Sequence, residues 1–464
     1  TNSILYNDGF NEAGSLFGSF PSSISFSNSN VQGITNTNGN IDVDPDLNSD
    51  YSLSNFSLCI GAGTIAGAPS TDFDGNPRPN PAGSNPDMGA YENSLATPDI
   101  LGCMDPTSLT YNANANVNDS SLCCYVGGCI DPAAINYDPL ACFNTISCTF
   151  LVNNITQDTG YAVIQTAIDA SVNGDTIIVS SGTYTENLII DAKNIVLASD
   201  FLLTGDTSYI SSTIIDGNSN GTVVKLYNTD ATAQLIGMVI KNGDASSGGG
   251  IRTSGTNNSK IKNVVIKNNI ASNGGGVYGD SNLIFENVEI MNNDATGNFG
   301  GGIYFPGGAP VFINSKISYN SVSGNGGGIA LSDSDPSFTN VIISNNTAYE
   351  GGGLYCVLHS DPILNNVTIA NNSAYEASSL FSKLDANIIL VNSIIYSNLS
   401  SHIIKNTGGS ISITYSNISG AYTGSGNIDV DPSFIDSANG DYRLSNFSPC
   451  IGSGLDTSIV PTYD

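Results

Sequence analysis

Short β-branched runs, each opened by an asparagine, recur through the second half of the chain. They are Asn263-Val264-Val265-Ile266, Asn287-Val288-Glu289-Ile290, Asn314-Ser315-Lys316-Ile317, Asn340-Val341-Ile342-Ile343, Asn366-Val367-Thr368-Ile369 and Asn392-Ser393-Ile394-Ile395. Four-residue runs of this kind, bounded by Asn and Gly, read as strand and turn rather than helix. Side-chain alternation along a strand points the second and fourth residues to one side and the third to the other. The inward column is therefore Val264/Ile266, Val288/Ile290, Val341/Ile343 and Val367/Ile369. The outward column is Val265, Glu289, Lys316, Ile342, Thr368 and Ile394.

Glycine triplets run in register with these strands: Gly248–Gly250, Gly274–Gly276, Gly300–Gly302, Gly326–Gly328 and Gly351–Gly353, each followed by an aliphatic residue. Their spacings are 26, 26, 26 and 25 residues. A fixed period of this size means a solenoid or a propeller, and a propeller blade needs about 40 residues. No repeat holds the ten or so residues of helical periodicity that a helical solenoid requires. The pattern predicts a parallel β-helix of about three short strands per coil, with coils about 4.8 Å apart. A second ladder, Asn269, Asn293, Asn320, Asn346, Asn372 and Asn398, falls at the turn, where Asn tolerates a left-handed backbone and stacked copies can hydrogen-bond. The glycines mark a corner that needs φ > 0 or close coil contact.

Charge narrows the partners. Asp and Glu outnumber Lys and Arg 41 to 12, for a net charge of −29, although charged residues are only 11 % of the 464. Such a surface repels nucleic acid and anionic membranes. No apolar stretch is long enough to span a bilayer, so no membrane insertion is expected in this segment. Histidine occurs only twice, at His359 and His402, which leaves little material for acid–base chemistry.

The chain also repeats on a longer scale. Gly39-Asn40-Ile41-Asp42-Val43-Asp44-Pro45 recurs as residues 426–432, and Tyr51 to Gly61 recurs as Tyr442 to Gly452. Upstream, Asn2-Ser3-Ile4 matches Asn392-Ser393-Ile394, an offset of 390. Residues 1–96 accordingly read as the last coils and cap of one β-helix. Residues 151–464 read as the next β-helix, with a short capping helix near 162–171 and an incomplete cap. One β-helix of ten or eleven coils would be a rod of roughly 50 Å.

Between them, residues 97–150 form a tandem cysteine cassette. Six cysteines, Cys103, Cys123, Cys124, Cys129, Cys142 and Cys148, lie within 46 residues, which reads as a disulfide framework in an oxidising, extracytoplasmic setting. Six cysteines allow fifteen connectivities. The tandem duplication suggests Cys103–Cys123 and Cys129–Cys148, leaving Cys124–Cys142 to bridge the halves. Zinc is the competing reading, but the CxxC pairs and histidines of usual zinc sites are missing.

Several stretches resemble known families. Ile164-Gln165-Thr166-Ala167-Ile168-Asp169-Ala170, followed by Gly174-Asp175-Thr176-Ile177-Ile178-Val179 and Gly182-Thr183-Tyr184-Thr185-Glu186-Asn187, looks like the opening of right-handed β-helices of the pectin-lyase-like superfamily. There, a short amphipathic helix plugs the first coil. The glycine and asparagine ladders are similar to polymorphic outer-membrane-protein repeats. The run from Asp72-Phe73-Asp74-Gly75-Asn76-Pro77-Arg78 to Asp87-Met88-Gly89-Ala90-Tyr91-Glu92 resembles the C-terminal cap of large secreted β-helix proteins, and the Gly-Cys-x-Asp-Pro cassette resembles a module of Bacteroidota surface proteins. The resemblance implies an all-β fold, right-handed parallel β-helix solenoids joined by a small disulfide-rich module.

Pectin-lyase-like helices include enzymes that cleave acidic polysaccharides by placing Asp clusters beside Arg or Lys on one outer face. Here Arg252 and Lys260, Lys262 and Lys267 lie on early coils, apart from the turn residues Asp333, Asp335 and Asp361. The expectation is a non-catalytic extracellular protein, structural or adhesive, one period of a tandem array forming a surface filament. The alternatives are a glycan-binding monomeric stalk that meets a host or prey surface and, more weakly, a polysaccharide lyase or hydrolase. Lateral homo-oligomer contacts would use the apolar part of the outward column, Val265, Ile342, Thr368 and Ile394, since exposed apolar rows mark partners. No cofactor is expected except Ca²⁺, for which Asp42, Asp44, Asp72, Asp74, Asp429 and Asp431 have the hard-oxygen character, weighed against plain turn capping.

Overall fold

The computed structural model describes residues 1–6, 25–33, 37–132, 134–396 and 403–455. Asn398 and His402 lie outside the described residues. The chain forms two compact units, Thr1–Pro132 with Tyr137–Ser147 and Ala133–Asn136 with Cys148–Asp464.

The second unit is a stack of parallel coils. Its strands line up in four sheets, here A to D. Sheet A has twelve strands and runs from the hairpin Val152–Asn154/Thr159–Tyr161 to Ser410–Thr414. Sheet B has ten, from Gly182–Thr185 to Asn417–Ile418. Sheet C has six, from Asp244–Ser247 to Ser373–Glu376, and sheet D has nine, from Leu188–Asp191 to Ile404–Thr407. A middle coil visits A, B, C and D in turn, so it has four sides where three were expected. The extra side is the connection from the asparagine turn to the glycines. It is extended and pairs with its copies above and below, as at Thr347↔Ser373 and Ala348↔Ala374. It shows half-buried and exposed residues in alternation and packs through small residues such as Ala271 and Ala295.

Register is kept coil after coil, so like residues stack. On sheet B, Ile240, Ile266, Ile290, Ile317, Ile343, Ile369 and Ile395 form one inward column. On sheet A, Phe285, Phe312 and Phe338 stack with ring centroids 4.5 and 4.9 Å apart and nearly parallel planes. Val264, Val288, Val341 and Val367 are buried, as their inward placement requires. The serines that replace valine in this column, Ser315 and Ser393, are buried too, and each returns its hydroxyl to a carbonyl two residues back. The amphipathic helix Ile164–Ala170 closes the first coil with Ile164, Ala167 and Ile168.

The two ladders divide the labour differently from the expectation. Positive φ sits on the residue before each ladder asparagine, at Asn268, Asn292, Tyr319, Asn345 and Asn371, and on the asparagine that opens each sheet B run. The ladder asparagines are fully buried. Each donates from Nδ2 to the Oδ1 of the next, Asn269 to Asn293 to Asn320 to Asn346 to Asn372, at 3.0, 3.0, 3.0 and 2.9 Å. The same Oδ1 accepts the backbone N–H of the preceding rung, so every buried amide is satisfied. Among the glycines, the first of each triplet takes positive φ, and the second touches the coil above. A Cβ on Gly301 would lie 2.5 Å from the carbonyl oxygens of Gly327 and Ser321. Where sheet C ends, Ser378-Ser379 stand in place of the glycine pair.

Candidate functional site

Three groups of residues could carry function: the outward column of sheet B, the acidic caps and the cassette. The outward column is continuous, with Val265, Glu289, Lys316, Ile342, Thr368 and Ile394 in adjacent register positions. Val265, Ile342, Thr368 and Ile394 are half-buried, not exposed. The reason, at the later coils, is a segment the sequence did not reveal. After the cap turn, Phe434–Asp436 and Asp441–Leu444 form an antiparallel hairpin that folds back along the unit. The Tyr442 hydroxyl accepts from Asn345 Nδ2 and Asn371 Nδ2 at 3.1 and 3.3 Å, at the turns just after the strands of Ile342 and Thr368. Phe434 meets Tyr396 edge-on. The signal was a change of offset: Pro45 matches Pro432 at 387, but Tyr51 matches Tyr442 at 391, and the four extra residues build the hairpin.

The cap aspartates hold backbone turns. Asp72 accepts from the backbone N–H of Asp74, Asn76 and Glu92 and from Asn76 Nδ2. Burial pushes its carboxyl up, yet these hydrogen bonds outweigh it and hold the group below the usual carboxylate range. Asp42 accepts from Gly33 N–H, Asp44 from Asp46 N–H, Asp429 from Gly420 N–H and Asp431 from Ser433 N–H. Asp74 enters this network through its backbone N–H alone. Among the described residues, no three His, Cys, Asp or Glu side chains converge as a metal site would require.

A buried charge network, also missed from sequence, lies under the first cap. Arg78 Nε pairs with Glu92 Oε1 at 2.6 Å, both side chains almost fully buried. Glu92 also accepts from the N–H groups of Asn80 and Asp87, and Arg78 donates to the Gly89 carbonyl. Asp87 is fully buried and accepts from the N–H groups of Gly61 and Asn93. Desolvation pushes its carboxyl up to about 6.

In the cassette, Cys103 is bonded to Cys123 and Cys124 to Cys142, two of the pairs suggested by the duplication. Cys129 and Cys148 are disulfide-bonded as well. The duplication is structural: Leu101–Gly102 pairs with Val117–Asn118 as Gly127–Gly128 pairs with Phe143–Asn144. Asn118 and Asn144 accept the N–H groups of Met104 and Ile130, 26 residues apart. Cys59 and Cys356 are free and buried, and burial raises both thiols; Cys450 is free and half-buried.

The candidate cations of the coils are engaged between coils. Lys262 meets Glu286 at 2.9 Å and Lys241 meets Asp216 at 3.2 Å, each pair spanning adjacent coils. Lys383 pairs with Glu350 and Lys405 with Glu376 in the same manner. No described helix is long and apolar enough to cross a membrane. The family model described as a right handed beta helix region matches residues 195–374 and 251–435, together more than half of the chain. The chain belongs to that family. No curated protein matches it.

Proposed function

We propose that this right-handed β-helix is a non-catalytic, extracellular structural and adhesive rod, a period of a tandem array that builds a surface filament. The observation that carries the reading is where the polar side chains go. Ladder asparagines bond along the stack, and four Lys–carboxylate pairs link neighbouring coils. These groups hold coil to coil, as a load-bearing rod needs, and do not converge on a ligand. Oxidised cysteines in the cassette suit an oxidising compartment. The recurrence of one cap sequence at both ends supports the tandem arrangement.

Electron microscopy of native material from the cell surface tests this. Bundled or regularly arranged rods, repeating once per β-helix and cassette, are expected. Globular particles without a rod repeat would sink it.

A second reading, glycan adhesion, has one observation in its favour. Tyr349 and Tyr375 stack at 5.1 Å on sheet C and are 52 % and 74 % exposed, presenting flat apolar faces of the kind sugar rings pack against. If that reading is right, polysaccharide pulled down by the native chain should be lost in Tyr375→Ala. Equal retention by both forms removes it.

A further inference from the structure

The two caps share one foundation, and only one of them is covered. Asn2 exchanges hydrogen bonds with Thr64, Nδ2 to O at 2.7 Å and N–H to Oδ1 at 2.8 Å. Asn392 does the same with Leu455 at 3.0 and 2.7 Å. Asn30 clasps Val43 and donates to Cys59 Sγ at 3.3 Å; Asn417 clasps Val430 and donates to Cys450 Sγ at 3.3 Å.

Over the first foundation lies the segment Pro86–Asp99. Gly89 N–H donates to the Asn2 carbonyl at 2.8 Å, and Met88 N–H donates to the Cys59 carbonyl at 3.0 Å. Gly61 N–H donates to Asp87 Oδ1 at 2.7 Å, and Asp99 N–H donates to the Asn55 carbonyl at 2.7 Å. Met88 is fully buried in a cluster with Leu53, Cys59 and Ile60, which Ile4 and Leu95 border.

The second foundation keeps the receiving groups: the carbonyls of Asn392, Cys450 and Asn446, the N–H of Gly452, and the apolar Ile394, Leu444 and Ile451. What differs is cover. Ile60 is 3 % exposed and its counterpart Ile451 is 58 % exposed. The cavity beside Ile4 has Met88–Tyr91 for a wall; the cavity of about 420 Å³ beside Ile394, Leu444 and Cys450 has no such wall among the described residues. The glycines give an independent sign. A Cβ on Gly61 or Gly63 would meet Ala96 O at 2.4 Å or Pro86 O at 2.6 Å, both on the covering segment. Gly452 has nothing within 4 Å, and Gly454 meets only Asn392. The second cap thus carries glycine clearance for a segment that is not lying on it.

We propose that the surface of Asn392, Ile394, Leu444, Cys450, Ile451 and Gly452 is a docking site for a polypeptide segment with the chemistry of Pro86–Asp99. Its Asp-Met-Gly core lies extended across the cap, the Met in the hollow beside Cys450, the Asp on the Gly452 N–H, and the Gly N–H on the Asn392 carbonyl. The site follows from the duplicated cap and is independent of whether the rod is a filament.

Cys450 reports occupancy, because the other two free thiols are buried. The full chain is treated with iodoacetamide, with and without a synthetic peptide of its own residues 85–99. The peptide should slow alkylation of Cys450 by about tenfold or more, as an occluded thiol reacts only through local opening. The same peptide with Asp87→Asn should protect less, and Ile394→Asp in the chain should abolish protection while leaving the coil circular dichroism intact. A free peptide pays an ordering cost, so a second form is decisive: the chain continued after Leu455 by a copy of its own residues 65–99. If Cys450 in that form reacts as fast as in the original, the proposal fails. If protection appears only in dimers that exchange their own Pro86–Asp99, the occupant is a second copy and the proposal fails as stated.

Discussion

The coil stack and the first unit solve the same problem with different materials. From Thr176 to Ile418 each coil buries a repeated set of aliphatic and aromatic residues, and the polar groups that go inside are neutral amides in a ladder. The first unit has only a small cluster, Leu53, Cys59, Ile60 and Met88, and relies on buried charge at Arg78, Asp87 and Glu92 and on cross-links in the cassette. Many cassette hydrophobics stay exposed, including Tyr125 and Leu140. Repetition lets every coil be the template for the next, so a core grows with coil number. A one-off fold of this size has to be closed by other means.

The largest effect that would break this contrast is a cavity in the stack. Phe312 is fully buried between Phe285 and Phe338. Phe312→Ala should cost about 3–5 kcal/mol in denaturant unfolding of the stack. Proteolysis of residues 97–147 should be unchanged. The complementary change is Cys103→Ser with Cys123→Ser, which opens a loop with a sequence separation of 20. It should cost the cassette about 3 kcal/mol, read by hydrogen exchange, and leave the stack's melting in place. If either change melts both regions together, they are one cooperative unit and the contrast is wrong.

A titration separates the two regions next. Asp87 has an ordinary carboxyl when unfolded and one raised to about 6 when folded, through desolvation. The folded cap therefore holds the proton more tightly. That contribution is fully present below the unfolded value near 3.9 and is lost as pH rises through about 6. Raising pH from 4 to 8 should weaken the first cap by up to about 3 kcal/mol, measured by exchange of the Asn93 and Gly61 amides. Relief of general acidic repulsion acts in the same direction, so Asp87→Asn is the control and should flatten the curve. The asparagine ladder has no charge to lose and should show no such step.

How much of this was legible follows from the same contrast. The sheet B columns, the buried valines and the asparagine rungs could be read because each position is repeated six times at one period. The fourth side of the coil could not, because Thr347-Ala348-Tyr349-Glu350 packs through one small residue and shows no apolar alternation. Positive φ was assigned to the ladder asparagine and belongs to the residue before it, because the ladder side chain turns inward to bond its copies. Arg78 and Glu92 are fourteen positions apart with no repeat to align them, so their burial was invisible until the cap folded. The Phe434–Leu444 hairpin was present in the sequence as a four-residue change of offset, which says where chain is added but not which face it covers.

A rung of the ladder sharpens the comparison within the stack. Asn320→Ala leaves the Nδ2 and N–H of Asn293 without their acceptor in a dry interior, and should cost about 1–3 kcal/mol, independent of salt.

The smallest effect tests whether surface charge sets the register at all. Lys262 and Glu286 are paired at 2.9 Å across adjacent coils, but their side chains remain about a third exposed. Water and ions screen such a pair, so Lys262→Met should change unfolding free energy by less than about 1 kcal/mol. The remaining difference should vanish in about 1 M salt, where the screening length is only about 3 Å. Were its loss to match that of Asn320→Ala, charge would be aligning the coils and the ladder would be passive. The expected inequality makes the opposite assignment: buried amides, which have no partner except their own copies, fix the stacking, and the lysine pairs only follow it.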